Sequence, residues 1–131
     1  MAQFGPLDFI YMPSRDAAGD VKHFTEALGG DLVFAIERFG TRVAMVRLGE
    51  EPPALLLAEH LEGDRPVLVF RVDDLDAAIR EVQERGGTPG MRTGIPHGPI
   101  QLLELPGAQR LALYERTRPE MAERLAGRRD F

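Results

Sequence analysis

Three histidines are the side chains of this sequence best suited to acid–base chemistry near neutral pH, because imidazole titrates in that range. His97 lies in the segment 94–99, whose glycines and prolines predict a loop. Beside a ligand, His97 would orient a substrate or act as a base; the alternative is a solvent-exposed loop histidine. His60 and His23 are predicted to be exposed, at a strand end and on a helix. The three positions share no spacing typical of metal ligands.

Two tyrosines, one arginine and two glutamates are further candidates. Tyr11 and Tyr114 lie in apolar runs that predict strands, where a buried hydroxyl needs a hydrogen-bond partner. Arg42 precedes a strand and would meet an anionic ligand or, alternatively, remain a charge at the strand edge. Glu59 and Glu115 occupy equivalent places in two similar segments, which suggests either a carboxylate pair or two solvated strand ends. We expect solvated ends.

Composition excludes several kinds of chemistry. The 131 residues include no cysteine, which rules out a thiol nucleophile, a disulfide and a thiolate metal site. Ser14 is the only serine and is placed to cap a helix, and Lys22, the only lysine, lies on the polar side of that helix. Covalent catalysis therefore has few residues to work with.

Charge and hydropathy restrict the partners and the location. A net charge of −5 argues against a nucleic-acid partner, which would need a basic surface. No apolar run approaches the roughly 18 residues of a membrane span, so no membrane partner is expected. Residues 1–6 lack the basic and apolar regions of a secretory signal, which predicts a cytoplasmic location.

A repeat along the chain indicates the elements that must position these residues. Asp16, followed by Gly29-Gly30, recurs 57 residues later as Asp73, followed by Gly86-Gly87, with similar apolar runs after each pair. The periodicity predicts two βαβββ units, at about residues 7–60 and 66–116, in a single domain of residues 1–131. Because each unit is too small to bury its own core, the two bury it against each other or against a second subunit.

Local patterns complete the prediction. Ser14 or Asp16 should cap a first helix, and its predicted apolar face consists of Ala17, Val21, Phe24 and Leu28. The segment from Thr88 to Pro99 is rich in glycine and proline and is predicted as a short strand followed by a loop. A final helix is predicted at about residues 118–127, with Thr117 as its cap.

Three segments together resemble the vicinal oxygen chelate superfamily, which includes glyoxalase I, bleomycin-resistance proteins and extradiol dioxygenases. They are residues 24–29, at the end of the first helix, residues 72–78, and residues 105–115, which resemble the family's last hairpin. The resemblance covers about residues 7–116. It implies an α+β fold in which the two βαβββ units form a curved mixed sheet with outer helices.

The resemblance does not extend to the family's metal site. Metal-dependent members carry His, Glu or Gln on the first strand of each unit and Glu on the last. The matching positions here are Phe9, Leu56, Val67 and Ala112, which are all apolar, whereas a divalent ion needs oxygen or nitrogen ligands. A shift of one residue would place Asp8 on the first strand but supplies leucines elsewhere. The resemblance therefore implies the metal-free branch, with no cofactor.

These observations favour a binding protein that holds a small, partly apolar organic ligand in a cleft between the units, such as an antibiotic or metabolite that it sequesters. Strand parity places Leu56 and Ala112 on the cleft face, with Tyr114, and Leu57 and Leu113 beneath the helices. In this family the loop of His97 borders the cleft. The predicted ligand-binding residues are Tyr11, Arg42, Leu56, His97, Ala112 and Tyr114.

A homodimer is expected. Two other interpretations remain open at this stage. One is a lyase, isomerase or dioxygenase-type enzyme of the same fold. The other is an interaction or regulatory module with a vestigial cleft.

Overall fold

The computed structural model describes residues 4–131. The N-terminal residues 1–3, part of the segment on which the absence of a secretory signal was predicted, lie outside the described residues. Within residues 4–131 the chain forms eight strands and three α-helices. The strands are β1 (Leu7–Pro13), β2 (Asp31–Arg38), β3 (Thr41–Arg47), β4 (Ala54–Ala58), β5 (Val67–Val72), β6 (Thr88–Ile95), β7 (Gly98–Glu104) and β8 (Leu111–Glu115), and the helices are α1 (Ala17–Lys22), α2 (Leu75–Glu84) and α3 (Met121–Leu125).

One curved mixed sheet contains all eight described strands, in the order β2-β3-β4-β1-β5-β8-β7-β6. Each unit has the same internal pairing, because β1 is parallel to β4 and β5 is parallel to β8. The units join through β1 and β5, which are antiparallel neighbours at the centre of the sheet. The two units therefore pair within the chain, and the predicted α+β fold is confirmed.

The outer face of the sheet is covered by the two longer helices. Val21 of α1 packs with Leu57, and Leu75 and Ile79 of α2 pack with Leu113. The inner face carries a separate apolar cluster. That cluster includes Phe9, Tyr11, Leu56, Val67, Val69, Ala112 and Tyr114. The predicted division of the strand residues between the two faces is confirmed.

The first helix differs from its predicted form. Asp16 is the N-cap and accepts a hydrogen bond from the Gly19 amide. After Lys22 the helix widens into a π-helical turn over His23–Ala27. The extra residue in that turn rotates the following side chains, so Leu28 is 55% exposed and does not complete the predicted apolar face.

Two predictions for the second half of the chain were wrong. Residues 88–99, predicted as a short strand and a loop, instead contain the full strand β6, a tight turn and the start of β7. The edge strand β6 tolerates proline and glycine because one of its sides has no neighbouring strand. The last helix is shorter than predicted and begins at Met121, since Arg118 is held by contacts to the β6–β7 turn. Gly127 follows this helix with a positive φ of 79°.

Glu59 and Glu115 are not solvated strand ends, as predicted, nor do they form a pair. A carboxylate oxygen of Glu59 accepts a hydrogen bond from the Ala17 amide at 2.9 Å, and one of Glu115 accepts from the Leu75 amide at 2.9 Å. Each glutamate thus binds the first amide of the helix in its own unit. The placement is favourable because a helix N-terminus attracts negative charge.

We expect Glu59→Gln and Glu115→Gln each to lower the free energy of unfolding by about 0.5–1 kcal/mol, because glutamine keeps an acceptor oxygen but loses the charge. Urea denaturation measures the change. Glu62→Gln is a suitable control, because Glu62 is an exposed carboxylate close to Glu59 in sequence. Equal losses in all three variants would contradict a helix-specific role.

Candidate functional site

A C-terminal strap, defined as residues 117–131, crosses the inner face of the sheet. At its start Arg118 donates a backbone hydrogen bond to the His97 carbonyl at 3.0 Å. Its guanidinium donates to the carbonyl of Pro96 at 2.9 Å and to that of Ile95 at 2.7 Å. The start of the strap is therefore fixed to the β6–β7 turn by three hydrogen bonds.

The other end of the strap pairs with β2. The Gly127 amide donates to the Val33 carbonyl at 2.8 Å, and the Ala35 amide donates to the Arg128 carbonyl at 2.8 Å. The Asp130 amide donates to the Ala35 carbonyl at 2.6 Å. Because β2 and β6 are the two outermost strands of the sheet, the strap connects opposite ends of the curved sheet.

The α3 helix of the strap lies between two cavities on the inner face. Leu125 is 2% exposed and belongs to the inner cluster, and Met121 packs against the same cluster. Ala122 and Ala126 line one cavity, whereas Met121 and Leu125 line the other. We name them the His97 cavity and the Tyr11 cavity.

The His97 cavity has a volume of about 360 Å³. Its lining residues are Asp8, Phe9, Val33, Phe34, Met45, Arg47, Glu50, Glu51, Pro52, Ala54, His97, Tyr114, Arg116, Pro119, Ala122 and Ala126. Two β-bulges contribute to this wall, one in β1 between Leu7 and Phe9 and one in β2 between Leu32 and Phe34. A bulge adds one residue to a strand and interrupts the alternation of side chains between the two faces. Asp8 and the following Phe9 therefore both line the cavity, as do Val33 and the following Phe34.

Asp8 is the polar centre of this cavity. Its carboxylate accepts a hydrogen bond from the Tyr114 hydroxyl at 2.5 Å and lies 3.5 Å from Nε of Arg71. Burial, and then the hydrogen bond to Asp8, raise the pKa of the Tyr114 hydroxyl. Tyr114 is therefore a protonated donor at neutral pH.

His97 is 6% exposed, so the predicted loop is in fact a tight and buried turn. Its ring centre lies 4.8 Å from that of Phe9. Within residues 4–131, Nδ1 of His97 is buried without a hydrogen-bond partner. Burial, followed by the positive charge of Arg116, lowers the pKa of His97 to about 4, so its ring is neutral at pH 7.

The Tyr11 cavity is larger, about 590 Å³, and more apolar. Its lining residues are Tyr11, Ile36, Arg38, Phe39, Thr41, Val43, Leu56, His60, Gly94, Ile95, Pro96, Arg118, Met121 and Leu125. At one side Tyr11 and His60 form a hydrogen bond of 3.0 Å between the hydroxyl and Nε2, and Nδ1 of His60 lies 3.2 Å from the Thr41 hydroxyl. Burial raises the pKa of Tyr11 to about 12, which keeps its hydroxyl protonated.

The predicted site residues do not all come together. Tyr11 and Leu56 line the Tyr11 cavity, and His97 and Tyr114 line the His97 cavity. Ala112 is fully buried in the inner cluster. The guanidinium of Arg42 is apart from them: it lies 3.6 Å from the Glu37 carboxylate and 5.0 Å from the centre of the Phe131 ring.

Sequence reasoning missed three charged groups of the site, Asp8, Arg116 and Arg118. Strand alternation gave no reason to place Asp8 beside Phe9, because the alternation fails at the bulge. Arg116 and Arg118 stand among acidic and basic residues near the end of the sequence, a pattern that is typical of a solvated segment. Their position depends on the strap, which is held by contacts distant in sequence.

The positions that match the family's metal ligands do not fit a metal ion. Phe9, Leu56, Val67 and Ala112 all belong to the inner cluster and offer no oxygen or nitrogen ligand from their side chains. Among residues 4–131, no group of three or more His, Asp or Glu side chains is arranged to hold an ion. None of the helices in residues 4–131 could span a lipid bilayer.

Comparison with solved structures identifies the fold. Methylmalonyl-CoA epimerase from Mycobacterium tuberculosis superposes with a TM-score of 0.71 at 21% identity, over 94% of this chain and 97% of that one. The Streptomyces coelicolor methylmalonyl-CoA epimerase in complex with 2-nitronate-propionyl-CoA gives a TM-score of 0.71 at 16% identity, over 88% of this chain and 100% of that one. No family model and no curated protein matches the chain. The chain has the vicinal oxygen chelate fold, as the resemblance implied.

Proposed function

We propose that the protein binds a small, partly apolar organic molecule in the Tyr11 cavity without a metal ion. The observation that carries this proposal is the composition of the cavity wall. Apolar side chains, including Leu56, Val43 and Ile36, surround a short hydrogen-bonded series from Tyr11 through His60 to Thr41. Small-molecule sites typically combine about 300–1,000 Å³ of apolar space with a few polar groups that fix orientation.

The polar series defines what the ligand should contain. The Tyr11 hydroxyl and the His60 ring are hydrogen-bonded to each other. A ligand hydroxyl or carbonyl would form a further hydrogen bond with one of these two groups. The structure of the Streptomyces coelicolor epimerase, which contains a bound coenzyme A derivative, supports small-molecule binding by this fold. Sequestration of an antibiotic or metabolite is the corresponding biological role.

A matched pair of variants tests where the ligand binds. Val43 lines the Tyr11 cavity and Val33 the His97 cavity, and both are partly buried valines packed against the inner cluster. With 2-naphthol as a fluorescent probe that is apolar with one hydroxyl, we expect Val43→Trp to weaken binding at least about tenfold, because the indole fills the space. Val33→Trp should leave binding nearly unchanged, although both variants carry a similar overpacking cost of about 1–3 kcal/mol.

Two results would contradict this proposal. The first is equal loss of 2-naphthol binding in both tryptophan variants, which would indicate a non-specific effect of overpacking. The second is stoichiometric binding of Zn²⁺, Ni²⁺, Mn²⁺ or Fe²⁺ by the purified protein with a large rise in melting temperature. Native mass spectrometry of the protein as purified would identify a co-purified molecule.

One observation favours a second candidate function, an isomerase or lyase that transfers protons. His97 is neutral and buried in a cavity that also contains the Asp8–Tyr114 pair, an environment typical of acid–base sites. The test is incubation with methylmalonyl-CoA, the compound bound in a neighbouring epimerase structure, in D₂O. Solvent deuterium incorporation that is lost in a folded His97→Gln variant would favour the enzyme.

The third interpretation, an interaction module with a vestigial cleft, is less favoured because both cavities have room for a ligand. A homodimer and a cytoplasmic location stay predictions.

A further inference from the structure

The leading proposal, ligand binding in the Tyr11 cavity, does not use the His97 cavity. α3 separates it from the Tyr11 cavity, and its apolar wall includes Phe9, Phe34 and Met45, which are each buried. The β-bulges of β1 and β2 both lie at this wall. Bulges often occur next to binding sites, where they redirect side chains at a cost to regular sheet pairing.

Charge in this cavity is unevenly distributed. Asp8 is already compensated by Arg71 and Tyr114, whereas Arg116 has no ion-pair partner in the described part of the chain. Arg116 is also the charged group with the largest effect on His97. The other charged lining residues, Arg47, Glu50 and Glu51, include both signs and come from the β3 end and the following loop. The side near His97 and Arg116 therefore favours an anion.

His97 provides the second polar group. Its Nδ1 is buried and, in residues 4–131, lacks a partner, although buried ring nitrogens are normally hydrogen-bonded. A ligand that reaches this nitrogen would satisfy it. The combination of an apolar wall, an uncompensated guanidinium and an unpartnered imidazole specifies the chemistry of the ligand.

We propose that the His97 cavity is a second binding site, which takes a small organic acid. The carboxylate meets Arg116 and hydrogen-bonds to His97, and the apolar part of the acid lies against Phe9 and Phe34. This site is separate from the Tyr11 cavity and does not depend on a ligand being bound there.

Three probes with the same apolar body and different charge test this site: phenylacetate, phenylacetamide and 2-phenylethylamine. We expect phenylacetate to bind the full chain at least about tenfold more tightly than the other two, as measured by calorimetry or NMR titration. Arg116→Gln should weaken phenylacetate binding about tenfold and leave phenylacetamide binding nearly unchanged, because only the anion uses the guanidinium. Arg80→Gln, which removes an exposed arginine of α2, is the matched charge control.

The tryptophan variants separate this proposal from the preceding one. Val33→Trp should abolish phenylacetate binding and Val43→Trp should not, the reverse of the order expected for 2-naphthol. Equal affinity for the three probes, or no saturable binding of phenylacetate, would overturn the proposal. So would equal effects of Arg116→Gln and Arg80→Gln, whatever the outcome with 2-naphthol.

Discussion

Gly98→Ala should lower the free energy of unfolding by about 3 kcal/mol, at the upper end of the range for overpacking. A Cβ atom at Gly98 would overlap the carbonyl oxygen of Glu115 and lie 3.0 Å from the amide nitrogen of Thr117. Both atoms belong to the backbone, which cannot turn away as a flexible side chain would. Relief therefore requires a shift of β7 or of the β8 end, where Glu115 binds α2 and the strap begins.

Gly94→Ala is the matched control for this prediction. Gly94 lies on β6 of the same hairpin, and a Cβ atom there would meet nothing within 4 Å. Alanine at this position should be close to neutral, because it removes some freedom from the unfolded chain without a clash. Urea denaturation of both variants measures the difference. A similar loss of stability in both would show that the hairpin disfavours any side chain, and that the contact with Glu115 is not the cause.

The expected crowding at Gly98 illustrates what the sequence could and could not predict. The repeat predicted both units, and strand alternation correctly assigned Leu56 and Ala112 to the inner face. These features depend on the alternation of side chains along each strand and on a duplicated unit, and both can be detected in the sequence itself. The approach of Gly98 to Glu115 joins residues from different strands, and no local pattern encodes it.

Two parts of the site, Asp8 and the strap, could not be predicted from the sequence, for different physical reasons. Asp8 reaches the His97 cavity because β1 has a bulge, which breaks the alternation on which face assignment relies. The strap was not predicted because it is held by hydrogen bonds to backbone carbonyls of residues 95–97 and of β2. Every residue has a backbone carbonyl, and such contacts therefore do not require a particular residue type that the sequence would show. His97 was predicted in a loop because the glycines and prolines around it are typical of loops. The same residues are also compatible with a tight turn beside an edge strand, which is what the structure has.

His97 should make the stability of the protein depend on pH between about 6.5 and 4. In the unfolded chain His97 binds a proton below its ordinary pKa of 6.5, whereas burial lowers the pKa of the folded state to about 4. Between these values the unfolded state holds more protons, and stability therefore falls as the pH falls. A difference of this size corresponds to about 3 kcal/mol, present above pH 6.5 and lost by about pH 4.

Comparison with His97→Gln isolates this contribution from the carboxylates that titrate over the same range. Asp8, Arg116 and Arg118 are the charged groups whose fields act on His97, and all three remain in the variant. If burial of a neutral imidazole is the cause, the wild-type protein should lose about 3 kcal/mol relative to His97→Gln between pH 7 and pH 4. His23→Gln, which removes an exposed histidine, is the matched control. Parallel urea-denaturation profiles for the wild type and His97→Gln would mean that His97 keeps its ordinary pKa in the folded state, which would contradict the burial of a neutral imidazole.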